Sequence, residues 1–262
     1  MFGWLTERRR RHLRERPFPA AWGGHLAANV AIARRLDDAH ATRLRELVTV
    51  FVAEKRWEGC GGLELTEEMQ VTIAGQACVM LLGRDHGLYE DVESILVYPD
   101  TRVLPPRRRG FFESGLAVEE THAPILGQAF LHGPVILAWD DVLDGGRERR
   151  PGHNVVFHEF AHKIDMLDGS IDGTPPLRTA AARQAWAEVC AAAFLALRDR
   201  VAAGEPSFLD DYGATNEAEF FAVATEAYFT LPAQMRAELP ALYALLADYY
   251  RFEPPARAGE PA

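Results

Sequence analysis

Apolar positions along this chain follow two rhythms. A helical one covers most of its length, and a strand-like one marks short runs near the middle. From Ala27 to Phe51 apolar residues recur at Val30, Ala33, Leu36, Leu44, Leu47, Val48 and Phe51, which is helical spacing with a join near Asp37-Asp38. Thr66, followed by Glu67 and Glu68, is a helix start, and the apolar body from Val71 to Leu82 predicts a buried helix ending at Gly83. Ser94 to Pro99 and Gly133 to Trp139 read as strands, the second being the clearest. Phe111-Phe112 and Leu116 to Val118 are further strand candidates, preceded by a loop at Arg107 to Arg109. Asp140-Asp141 opens a short helix across Val142 to Asp144, which Gly145-Gly146 ends. Helical patterns return over Ala180 to Ala202, Ala218 to Phe229 and Leu239 to Tyr250. Lys55 to Gly62 reads as a turn-rich connector, and the tail from Glu253 is rich in Pro and Ala. Residues 1–16 form a short basic helix, with Phe2, Trp4, Leu5 and Leu13 as docking points, until Pro17 and Pro19 break it.

One further helix carries chemistry. Between Asn154, a plausible N-cap, and Leu167 there is no Gly or Pro, and Gly169 stands just past the end. Within it lies His158-Glu159-Phe160-Ala161-His162. Residues four apart share a helix face, so the two imidazoles point to one spot and can bind one zinc ion. Glu159 follows the first of them and is placed to act on a zinc-activated water as general base. Apolar neighbours at Val155, Val156, Phe160, Ala161 and Ile164 make this a buried helix rather than a solvated one.

Composition narrows the class. The 262 residues are 48% hydrophobic and 25% charged, as in a globular protein with a real core. A formal net charge of -10 argues against nucleic acid as the main partner. Cys60, Cys78 and Cys190 are odd in number and lack metal-ligand spacing, which suits a reducing compartment. No apolar run is long enough to span a membrane, and the arginines at 8–11 and 14 deny the N-terminus the apolar middle of a secretory signal. The expectation is a cytoplasmic protein with no membrane partner. Glu7 and Glu15 interrupt the basic run, which reads as a solvated helix face.

A catalytic zinc takes three protein ligands and keeps one position open. The other histidines are poor candidates. His153 lies five residues before His158 and faces elsewhere, and His12, His25, His40, His86, His122 and His132 sit outside any ligand pattern. A carboxylate on a second helix is the other standard solution. Glu217, Glu219 and Glu226 stand on the apolar segment 216–229, and Glu219 and Glu226, seven apart, share a face. Carboxylates among Phe220, Phe221, Val223 and Phe229 need a partner to be there. Local spacing does not choose between Glu219 and Glu226.

The segments His158 to Asp165 and Glu219 to Val223 together resemble the Mlc titration factor A family of bacterial zinc peptidases. The likeness extends to Trp57-Glu58-Gly59, to Gly62 to Thr66 and to the Gly133 to Trp139 strand. The catalytic domain of that family is similar to that of anthrax lethal factor. The resemblance implies one zinc ion per chain, held by His158, His162 and Glu219, with Glu159 as catalytic base. It places Tyr212 near the metal, where its phenol would donate a hydrogen bond to the oxyanion. Glu226 and Asp165 are then read as carboxylates that support the metal-bound imidazoles.

The expected fold is α+β and zincin-like: a small mixed β-sheet packed on the active-site helix, and a mostly helical N-terminal part. The expected division is a helical region 1–85, a catalytic domain 86–252 and a flexible tail 253–262. The expected function is aminopeptidase-like hydrolysis of a peptide or protein substrate, with the Val135 to Ala138 strand as an edge for an extended peptide. The alternative is a binding protein that sequesters a transcriptional repressor, because enteric members of the family bind the glucose repressor Mlc.

Overall fold

The computed structural model describes residues 2–102, 133–257 and 259. Helices dominate. α1 (Phe2–Arg14) lies on α3, tied there by the half-buried pair Arg10–Glu54, with Nε 2.9 Å from Oε1. α2 (Ala20–Asn29) runs into a 3-10 turn at Ala31–Arg35, and α3 (Asp38–Glu54) begins where Asp37 accepts from the His40 amide at 2.8 Å. The expected join at Asp37-Asp38 is therefore a helix cap. α4 (Glu67–Val79) starts at Thr66, whose hydroxyl accepts from the Met69 amide. Every residue of α4 from Val71 onward is buried, because α2, α3 and the later helices Trp139–Gly146 and Val155–Asp165 all pack around it.

The sheet has three described strands, β1 (Arg56–Gly59), β2 (Ser94–Tyr98) and β3 (Val135–Ala138), in the order β1-β2-β3. A mixed sheet was the expectation, but both described pairings are parallel, with Trp57 opposite Ile95 and Leu96 opposite Ile136. Parallel neighbours need a long crossover, and α4 lies in the one between β1 and β2. β1 falls inside the stretch expected as a connector. It is four residues long with little burial on either face, so its sequence carries no apolar alternation to reveal it. The strand candidates at Phe111-Phe112 and Leu116 to Val118, the loop at Arg107 to Arg109, and His122 and His132 lie outside the described residues.

After β3 the chain turns directly into α5 (Trp139–Gly146), longer than the expected Val142 to Asp144 and running through both glycines. Gly146 must be small, since a Cβ there would stand 2.4 Å from the Asn29 carbonyl oxygen. α6 (Val155–Asp165), α7 (Ala180–Ala203), α8 (Glu217–Thr230), α9 (Pro232–Glu238) and α10 (Pro240–Tyr250) complete the described helices. One hydrophobic core runs from Leu26 to Phe252. Beyond α10, Pro254 is buried, and Arg257 reaches Glu148 in the loop before α6, with Nε 3.5 Å from Oε2.

Candidate metal centre

α6 is positioned by its aromatic back face. Phe160 packs on Tyr89 and Phe51, with ring centroids 4.7 and 5.7 Å away, and Phe157 packs on Phe229 of α8 at 5.0 Å. Each buried Phe is worth about 1.5–3 kcal/mol, so this face fixes the rotation of the helix. With Phe157, Phe160 and Ile164 buried in the core, His158 and His162 turn toward Glu219 and Glu226 of α8. The helix start is held as firmly. Asn154 Oδ1 accepts from the amides of Val156 and Phe157, both at 3.0 Å. Asn154 Nδ2 donates to Gln76 Oε1 at 2.8 Å, and the Asn154 amide donates to Glu226 Oε2.

Three donor atoms converge. His158 Nε2 lies 3.1 Å from Glu219 Oε2, His162 Nε2 lies 3.4 Å from the same oxygen, and the two nitrogens are 3.2 Å apart. Glu219 is 1% exposed, and its Oε2 accepts no well-aligned hydrogen bond although two imidazoles stand beside it. The three atoms aim at a common point more than at one another. A tetrahedral ion with bonds of about 2.0–2.1 Å would hold neighbouring donor atoms about 3.3–3.4 Å apart. Two imidazoles and a carboxylate so spaced fit a divalent ion such as zinc.

The local electrostatics follow from the same crowding. Burial opposes charge on His158, but its contacts with Glu219 and Glu226 outweigh burial and hold the imidazole up to about 10. Burial also works against the Glu219 carboxylate, yet the two imidazoles pull it down to about 2.

The remaining expected residues take distinct places. Glu226 Oε1 lies 2.8 Å from His158 Nδ1, on the ring edge away from Glu219. Glu159 is half-buried on the next position of the helix, and its negative charge acts on both His158 and Lys163. Tyr212 sits on a 3-10 turn at Asp211–Ala214, where its amide donates to Asp210 Oδ1 at 2.8 Å, and its ring centroid is 6.1 Å from that of His158. Asp165 is fully buried at the end of α6, and its Oδ2 accepts from the Gly173 amide at 3.0 Å. Burial pushes its carboxyl up to about 7. Its described bonds therefore brace the loop after α6. His153 stands away from the ligands, exposed, 3.5 Å from Asp210.

Sequence reasoning missed Gln76. Besides holding Asn154, its Nε2 donates to the Val142 carbonyl at 3.1 Å, so it links α4, α5 and the start of α6. The signal was a lone amide inside the apolar run from Val71 to Leu82.

Comparison with known proteins gives concordant matches. A family model described as glucose-regulated metallo-peptidase M90 matches residues 4–251. An uncharacterized protein of Synechocystis sp. (strain ATCC 27184 / PCC 6803 / Kazusa) is 34% identical over 252 residues, which cover 96% of this chain and 90% of that one. Mlc titration factor A of Yersinia pestis (strain Pestoides F) is 29% identical over 246 residues, covering 91% of this chain and 86% of that one. The protein of the same name from Yersinia pseudotuberculosis serotype O:3 (strain YPIII) matches equally.

Proposed function

The chain belongs to the glucose-regulated metallo-peptidase M90 family, and from that premise we propose that it is a zincin-like, zinc-dependent peptidase of the cytoplasm with an aminopeptidase-like preference. The observation that carries this reading is the triangle of donor atoms on His158, His162 and Glu219. Bound there, zinc would supply Lewis acidity, activating water for attack and polarising the scissile carbonyl.

The protein's own groups do the rest. Glu159, next in sequence to the first ligand, takes the proton of the attacking water and returns it to the leaving amine. Tyr212 donates its phenolic proton as a hydrogen bond to the oxyanion that develops on the carbonyl oxygen. Glu226 accepts from His158 Nδ1, which fixes the ring and turns Nε2 toward Glu219. β3 packs against α6 and leads into the helix before it, so an extended substrate pairing with this strand would pass the site. Among the described residues no helix is long and apolar enough to cross a membrane.

The test is hydrolysis of amino-acid anilides and short peptides by protein stripped with a chelator and then reloaded with one equivalent of zinc. Activity should vanish on stripping and return with zinc. Activity that survives full metal removal would refute the reading.

A second reading is favoured by the relatives named Mlc titration factor A: the chain binds a transcriptional repressor, and peptide hydrolysis is secondary. A partner captured and silenced equally by wild type and by Glu159→Gln would support it.

A further inference from the structure

Gln76 is 1% exposed in the apolar body of α4, where an amide costs free energy unless its polar atoms are paired. It is paired at both ends. Its Nε2 lies 3.1 Å from the Val142 carbonyl oxygen and 3.4 Å from that of Thr72. Carbonyls only accept, so this end of the amide is the donor end and Oε1 must point the other way. There it accepts from Asn154 Nδ2 at 2.8 Å. Asn154 is oriented in turn. Its Nδ2 is spent on Gln76, which leaves Oδ1 to cap the amides of Val156 and Phe157.

The succession of donors and acceptors continues past the cap. The Asn154 backbone amide donates to Glu226 Oε2, and Glu226 Oε1 accepts from His158 Nδ1 at 2.8 Å. An imidazole whose Nδ1 carries the proton presents the lone pair of Nε2, the atom that stands beside Glu219 and His162. Gln76, Asn154, Glu226 and His158 are all buried, so water competes little for these bonds. The fold also leaves room for them. α5 carries Gly145 and Gly146, although glycine weakens a helix relative to alanine. A Cβ at Gly146 would stand 2.7 Å from Gln76 Nε2, and one at Gly145 would stand 2.9 Å from the Asn154 Cα.

We infer that Gln76 is a positioning residue of the metal centre, holding His158 ready for the ion through Asn154 and Glu226. Without Gln76, the buried Asn154 Nδ2 has no acceptor, and the side chain must turn or leave the cap. Glu226 then loses the fixed donor on Oε2, and the His158 ring gains freedom. The inference rests on the metallopeptidase reading and adds to it a residue that touches neither metal nor substrate.

The test is a double-mutant cycle read by zinc affinity, measured by competition with a chromophoric chelator at a temperature where every variant is folded. It uses the full chain as wild type, Gln76→Met, Glu226→Ala and the double variant. Gln76→Met, close to glutamine in length, should weaken zinc binding about three- to tenfold. That loss should vanish in the Glu226→Ala background, because the effect travels through that carboxylate. Gln76→Leu repeats the cycle with a second apolar side chain. A residue that serves only the fold would weaken zinc equally with and without Glu226. Unchanged affinity in the Gln76 variants, or a loss of the same size in both backgrounds, would overturn the positioning role and leave the peptidase reading intact. The expected coupling in a protein that cuts no anilide or peptide would remove the peptidase reading alone. If wild type holds no zinc, both fall together.

Discussion

Glu219 and Glu226 show what single residues decide here. Both are carboxylates on one face of α8, and both are almost fully buried, yet they meet opposite edges of the same imidazole. Glu219 faces His158 Nε2 and Glu226 faces Nδ1. Replacing Glu219 by alanine should abolish stoichiometric zinc binding, since it removes one of three donors. Glu226→Ala should keep the donors and weaken zinc binding by roughly 10–100-fold. Metal titration of the two variants checks the order, and the reverse order would exchange their roles. Glu159→Gln separates binding from chemistry. It should retain zinc and lose about 10²–10⁴ of kcat, because the amide cannot accept the water's proton. A variant that keeps both metal and rate would remove Glu159 from the mechanism. His158, Glu159 and His162 were legible because helical geometry is local and a spacing of four fixes a shared face. Helical spacing did not separate Glu219 from Glu226, because a spacing of seven gives both the same face, and only the resemblance to the peptidase family distinguished them.

At the scale of elements, legibility followed the reach of the physics. Asn154 and Thr66 announced helix starts correctly, since a cap is a contact within three residues, whereas Asp37-Asp38 was read only as a join. β1 was hidden because it is a strand only by virtue of β2 beside it. α9 was unread because it is only seven residues long and shows too few apolar positions for a period, although Pro232 and Pro240 each stand at the first position of a helix. The cap of α6 does more than start a helix, because Asn154 also satisfies the buried Gln76. Asn154→Ala should therefore cost more than the usual cap. About 1 kcal/mol goes with the cap, and about 1–3 kcal/mol more with the unsatisfied amide. Thermal unfolding should show a drop of roughly 4–16 °C at this chain size. A fall within experimental error would mean that Gln76 finds another partner.

Over the whole molecule, the helices of the N-terminal half and those of the metal-binding half share one core, and titratable side chains are buried within it at few points. His86 is one of them. It is 6% exposed, and its Nε2 has no hydrogen-bond partner among the described residues. Burial, reinforced by Arg10, Arg43 and Lys55 nearby, holds its imidazole down to about 3. A histidine depressed on folding contributes stability above its unfolded value near 6.5 and loses it as pH falls toward 3. The protein should therefore lose stability on acidification through that window, by a few kcal/mol from this residue. His86→Gln should narrow the difference in melting temperature between pH 7 and pH 4.5. An unchanged difference would place the acid sensitivity elsewhere. The sequence by itself determined what depends on neighbours along the chain: the helices, their caps, the His-Glu-x-x-His face and the motif likeness to a peptidase family. Only the tertiary structure decided the parallel order of the sheet, the rotation of α6 on Phe157 and Phe160, and which glutamate meets which nitrogen. Those depend on residues far apart in the chain, such as Trp57 and Ile95, Phe51 and Phe160, or His158 and Glu219, which come into contact only once the core has formed.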